Sequence, residues 1–119
     1  MILVDTNVWV EFFRGSKSSI ALSDSIESGD VYLHPFVLTE LILGGLKKDI
    51  QIRMENFVNV SILSEIQLRK FIAEEKLFGR GLGFVDIHLL ASARIQNCNL
   101  WTFDSYLKKA ADYLGIDTI

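Results

Sequence analysis

The chain has 119 residues, half of them hydrophobic and 23% charged, with a single proline and a single cysteine. That length suits one domain spanning 1–119 with a core of its own, and the composition excludes a disordered or collagen-like chain. The formal net charge of −3 does not announce a nucleic-acid binder, yet a few acids gathered in one cleft account for the whole excess and leave cations free elsewhere. Cys98 has no internal partner and no signal peptide precedes the first apolar run, so a reducing, cytoplasmic setting is expected. No run approaches the ~18 apolar residues of a membrane span.

Ile2, Leu3 and Val4 read as a short strand buried on both faces. Asp5 ends the strand. Thr6 and Asn7 are residue types that start helices, and Val8, Trp9, Phe12 and Phe13 follow at helical spacing. Ser16 to Ser19 is polar and placed to cap a second helix that runs to about Ser28, where Gly29 stops it. Val31-Tyr32-Leu33 is the next strand, and Pro35 opens a helix carrying Phe36 to Leu43. Ile50, Met54 and Phe57 share one helical face. Val58 to Leu63 alternates as a strand does. Ser64 and Gln67 form a capping box for a helix that continues to about Phe78. Gly79 to Gly83 is a loop without the strand that a dinucleotide fingerprint requires. Phe84 to Cys98 is helical, Asn99 to Phe103 is a strand, and Ser105 to Leu114 is a last amphipathic helix. Gly115 caps it, and Ile116 begins a small edge strand. Strands and helices alternate throughout, which predicts a three-layer α/β/α fold with a mainly parallel central sheet.

Four acids stand out because their neighbours are apolar. Asp5 follows a buried strand, Glu40 interrupts Phe36 to Leu43, Asp86 lies within Leu82 to Leu90, and Asp104 ends the last strand. No Lys or Arg lies within three residues of Asp5, Glu40 or Asp86. Unpaired carboxylates in apolar settings are costly unless a cation holds them. Oxygen-only ligation from several elements suits a hard divalent ion, Mg²⁺ or Mn²⁺, and no Cys/His cluster points to zinc. Each acid also has a plainer reading. Asp5 and Asp104 suit helix N-caps, Asp86 complements a helix dipole, and Glu40 suits a solvent stripe. Thr6 and Asn7 are placed to support the Asp5 carboxylate or to cap. His34 and His88 read as structural, and Cys98 as a small buried hydrophobe.

These stretches, Val4-Asp5-Thr6-Asn7-Val8, the mid-helix Glu40, Gly83 to Ala93 and Leu100-Trp101-Thr102-Phe103-Asp104, resemble the PIN domain. Within it they look like the VapC-type toxin ribonucleases of toxin–antitoxin pairs. The resemblance runs over nearly the whole chain. It implies an endoribonuclease dependent on Mg²⁺ or Mn²⁺, a homodimer, and a cognate antitoxin that fills the groove. Carried over by position, Asp5, Glu40, Asp86 and Asp104 are the catalytic and metal-binding acids, supported by Thr6 and Asn7. Asp5 and Asp86 are expected to hold the first ion, with Glu40 bridging or orienting the attacking water and Asp104 completing the site or holding a second ion. His34 departs from the small hydroxyl residue common at its position. Arg14, Lys17, Lys47, Lys48 and Arg80 are candidates for gripping RNA.

Two rivals remain open at the sequence level. A non-catalytic PIN-like module would bind RNA or a partner without cutting, and would normally lose acids. A haloacid-dehalogenase-type phosphatase also begins with a strand ending in Asp, but it needs a second Asp where this chain has Asn7.

Overall fold

The computed structural model describes residues 1–119. Four short strands make the middle layer: β1 (Ile2–Val4), β2 (Val31–Leu33), β3 (Val58–Asn59) and β4 (Asn99–Trp101). They lie in the order β3-β2-β1-β4, and every pairing is parallel. Leu3 sits opposite Tyr32 on one side and Leu100 on the other. Seven helices connect and flank the strands: α1 (Thr6–Phe13), α2 (Leu22–Glu27), α3 (Pro35–Leu43), α4 (Lys48–Met54), α5 (Glu65–Glu74), α6 (Phe84–Gln96) and α7 (Ser105–Tyr113).

The chain steps outward from β1 to β2 to β3, then crosses back past β1 to lay down β4. Right-handed crossovers convert that change of direction into a change of face. Accordingly α1 packs with α3, and α3 with α4, while α6 packs with α5 and α7. The result is the expected three-layer α/β/α arrangement. Leu3, Val4, Leu33 and Leu100 are wholly buried between the layers, at roughly 2 kcal/mol of hydrophobic stabilisation per side chain. Trp9 closes one end of the core against Phe12, Phe13 and Phe57.

The ends of several helices follow the expected chemistry. Ser64 Oγ accepts the Gln67 N–H at 3.2 Å, and Gln67 Oε1 accepts the Ser64 N–H at 3.0 Å, so the capping box is complete. His34 caps α3, its Nδ1 accepting the Phe36 N–H at 3.0 Å, and Pro35 takes the first helical position. Asn97 closes α6 in the left-handed conformation, φ 51°.

Elsewhere the elements differ from the sequence expectation. Ser16 caps only a 3-10 turn at Lys17–Ser19, and α2 starts at Leu22. The Ser16 and Ser18 hydroxyls pair with each other at 2.7 Å and Ser16 Oγ takes the Ser18 N–H. Such local bonds compete with a continuous helix. The strand expected over Val58 to Leu63 pairs only at Val58–Asn59. Val60 still donates to the Leu33 carbonyl at 3.0 Å, but β2 ends there, leaving later residues without a partner. Helix α5 stops at Glu74, short of Phe78. Lys76 adopts a left-handed φ of 55°, and Leu77 N–H reaches back to the Ile72 carbonyl, a closure that ends a helix. Gly115 does follow α7 with φ +73°, but the edge strand after it shrinks to one bridge, Leu100 to Thr118.

In open α/β sheets a crevice opens at the carboxyl ends of the strands, where the strand order reverses. Here that point lies between β1 and β4.

Candidate active site

Strand β1 delivers Asp5 to the crevice and stops, because Asp5 caps α1 in extended conformation and its Oδ1 accepts the Thr6 N–H at 2.7 Å. The carboxylate is only 6% exposed. Its other oxygen accepts the Thr102 hydroxyl at 2.7 Å from the end of β4. Thr102 is wholly buried and works in three directions. Besides donating to Asp5, its Oγ1 accepts the Asp104 N–H at 3.0 Å and the Asn7 side-chain amide at 3.4 Å. Asn7 Oδ1 in turn accepts the Phe103 N–H at 3.2 Å. Asp5, Asn7, Thr102 and the turn after β4 therefore form one hydrogen-bonded block.

The other acids arrive from three helices. Glu40 projects from α3 and its Oε1 accepts the Thr6 hydroxyl at 2.6 Å. Asp86 lies in the first turn of α6, where Oδ2 accepts the Gly83 N–H at 2.8 Å. Asp104 caps α7, its Oδ1 taking the N–H groups of Tyr106 and Leu107 at 2.8 and 3.0 Å. The plain capping reading therefore holds for Asp5 and Asp104, and Glu40 does lie on an exposed position of its helix.

These roles do not scatter the acids. Asp5, Glu40, Asp86 and Asp104, with Thr6 and Asn7, line a single open cleft of about 730 Å³. Burial pushes the Asp5 carboxyl above the usual range, against hydrogen bonds from Thr102 and Thr6, and the charges of Asp86 and Glu40 push it further. Burial also raises Asp86, against the Gly83 N–H, with Asp104 and Glu40 adding repulsion. The acids sense one another across the cleft.

Two residues of the site, Glu11 on the cleft wall and Thr102 buried beneath Asp5, went unassigned as acids or supports by sequence reasoning. Glu11 lines the cleft and holds Arg14 at 3.1 Å, on the same face of α1 as Asn7. Its spacing from Asn7, i to i+4, was the available signal. Thr102 showed only as a hydroxyl between two aromatic residues. Of the five cations named for RNA, Arg14 lines this cleft. Lys47 lines an adjoining, more apolar hollow of about 380 Å³ that shares Val10, Arg14 and Glu40 with it. Lys17, Lys48 and Arg80 stand on neither wall. His34 and His88 are buried with their rings 5.7 Å apart, and both rings contact the half-buried Phe36. Cys98 is buried, and burial raises its thiol.

The donor set is oxygen throughout, carboxylates with hydroxyl and amide groups, which suits a hard divalent cation. Convergence is looser than the sequence suggested. No three Asp, Glu, His or Cys side chains stand together as a ready coordination shell, because helix caps and Thr102 already hold the carboxylates. Each of Asp86, Glu40 and Asp104 still keeps one carboxylate oxygen without a protein donor.

Comparison with known proteins identifies the family of the fold. The PIN domain family model matches residues 2–113. Ribonuclease VapC32 of Mycobacterium tuberculosis is 34% identical over 119 aligned residues, covering 98% of this chain and 94% of that protein. Among solved structures, FitAcB from Neisseria gonorrhoeae superposes with a TM-score of 0.70 at 24% identity, covering 100% of this chain and 96% of that one. VapBC-1 from nontypeable Haemophilus influenzae gives a TM-score of 0.67 at 19% identity, covering 100% and 97%. With its parallel sheet, its acid-lined crevice and these matches, the chain belongs to the PIN domain family.

Proposed function

We propose that this protein is a metal-dependent endoribonuclease, the toxin of a toxin–antitoxin pair, hydrolysing RNA phosphodiester bonds at the acidic cleft. The observation that carries the reading is the meeting of Asp5, Glu40, Asp86 and Asp104, from four separate elements, around one cleft. The likeness to a protein named Ribonuclease VapC32 supports the chemistry. The toxin–antitoxin complex from Klebsiella pneumoniae, of like fold with a TM-score of 0.67, is in keeping with an antitoxin partner. We take residues 1–119 as one domain working as a homodimer.

Asp5, Asp86, Glu40 and Asp104 would hold Mg²⁺ or Mn²⁺. Such an ion offsets the charge of the phosphodiester and lowers the pKa of a water for attack. The chain's own residues prepare the ground. Thr102 and the Thr6 N–H keep Asp5 in one rotamer. The Thr6 hydroxyl fixes Glu40 and leaves Oε2 free. The N–H groups at the starts of α6 and α7 fix the orientation of the Asp86 and Asp104 carboxylates. Arg14 is the single cation on the cleft wall, where it can meet a phosphate.

The test is cleavage of single-stranded RNA by purified protein in Mg²⁺ or Mn²⁺, with and without chelator, against Asp5→Asn and Asp86→Asn. Cleavage that chelator and either variant abolish is the expected result. Cleavage that survives both sinks the reading, and Mn²⁺ binding without cleavage turns it toward a non-catalytic binding module.

A further inference from the structure

One flank of α7 carries Tyr106, Lys109 and Tyr113 at i, i+3 and i+7, so their side chains form a stripe. All three are exposed, Tyr106 by 60% and Tyr113 by 52%. Leu107, Ala110 and Ala111 anchor the opposite face in the core. Just before its N-terminal end in the chain comes the exposed Phe103, which lines the acidic cleft with Asp104. The loop 79–83 runs alongside. Gly81, with φ +74°, lies so near that a Cβ there would stand 3.5 Å from the Tyr106 ring. The Arg80 guanidinium lies over the Tyr113 ring, 4.1 Å from its centroid, while its Nε donates to the Lys76 carbonyl at 2.9 Å. Neither Arg80 nor Lys109 takes part in an ion pair.

Half-open aromatic rings alternating with unpaired cations suit single-stranded nucleic acid, whose bases stack on the rings while its phosphates meet the charges. A buried protein contact fits less well, since interface cores are depleted in Lys. The acids of the cleft repel phosphate, so affinity for RNA must come largely from outside them. The stripe begins where the acids end. From Tyr106 to Tyr113 it rises about 10 Å, room for about three nucleotides of a stacked strand.

We propose that Phe103, Tyr106, Lys109 and Tyr113, with Arg80, form the track on which a single-stranded flank of the RNA lies as it leaves the cleft. The proposal rests on the ribonuclease reading above and names the form of RNA that the site accepts.

The test is fluorescence anisotropy of a labelled oligouridylate of about a dozen nucleotides, a length within the usual footprint of single-strand binders, with chelator present to prevent cutting. Tyr106→Leu and Tyr113→Leu should each weaken binding about fivefold or more, while Tyr106→Phe retains it. Lys109→Gln, at an exposed position that leaves the fold alone, should lower the slope of log affinity against log salt by about 0.7. An RNA duplex of the same length should bind more weakly and ignore the tyrosine changes. If the double tyrosine variant binds the oligonucleotide as tightly as the wild type, or the wild type prefers the duplex, the track is wrong. The same oligonucleotide is then followed in Mg²⁺. Binding without cleavage counts against the ribonuclease reading and leaves the track standing. Cleavage that the tyrosine variants leave unchanged, with unchanged binding, overturns the track and makes the stripe a protein contact.

Discussion

The Thr102 hydroxyl donates to Asp5 Oδ2 at 2.7 Å, and Thr102 Oγ1 also accepts the Asp104 N–H at 3.0 Å. One buried side chain thus holds two of the cleft acids in register, at the ends of neighbouring strands. Thr102→Val keeps the shape and removes the hydroxyl. It should destabilise the fold by roughly 1–3 kcal/mol, because Asp5 and the Asp104 N–H lose a buried partner. It should also raise the Asp5 carboxyl further, since a bond to the charged form is gone. Urea unfolding and Mn²⁺ calorimetry on the same variant check both effects. An unchanged midpoint with unchanged affinity would deny Thr102 its role.

The cleft acids are an electrostatic burden on the metal-free fold. Asp86→Asn keeps an oxygen for the Gly83 N–H and removes a charge that burial, Asp104 and Glu40 all oppose. Thermal unfolding without metal should show stability unchanged or higher by up to roughly 1 kcal/mol, with cleavage reduced at least about a hundredfold. A variant both inactive and severely unfolded would instead mark Asp86 as structural.

Metal affinity should climb with pH. Asp5 and Asp86 are both raised above the usual carboxyl range, and a ligand must shed its proton before it binds. Mn²⁺ titrations at acidic and neutral pH should show weaker binding at the lower pH. Paired calorimetry in buffers of different ionisation enthalpy should show proton release.

His34 predicts an acid-labile fold. Burial, with His88 alongside, lowers it from 6.5 to about 4. As pH falls, the unfolded chain takes up this proton near 6.5, whereas the fold resists until about 4. Stability is therefore lost between those values, by up to roughly 3 kcal/mol, and His34 contributes no further change below them. His34→Asn keeps a side-chain acceptor for the Phe36 N–H and removes the titration. The wild-type-minus-variant difference in urea midpoint, measured across this range, cancels the carboxylates. A difference that stays flat with pH would refute the assignment.

Ser64→Ala offers a control. It breaks a completed capping box whose residues do not line the cleft. About 1 kcal/mol of stability should go, with RNA cleavage unchanged.

Much of this was readable before any coordinates. Ile2 to Asp5 announced a buried strand ending in a carboxylate, and the apolar surroundings of Glu40 and Asp86 marked them as unusual acids. Their meeting follows from strand order, which local patterns do not encode: nothing near Asp5 names Thr102 as its partner. Glu11 was hidden for another reason. On an amphipathic helix an acid at the boundary looks like a solvated charge until the opposite wall is known. The shortened strand at Val58 and the broken helix after Ser16 were lost to their partners, one to the early end of β2 and the other to serine hydroxyls.

The position of β4 beside β1 also sets a timetable. Residues at the start of the chain wait for the last strand: until Asn99–Trp101 and Thr102 have left the ribosome, Asp5 has no partner for Oδ2 and Asp104 is absent. A product that ends before Asn99 carries Asp5, Glu40 and Asp86 but neither Thr102 nor Asp104.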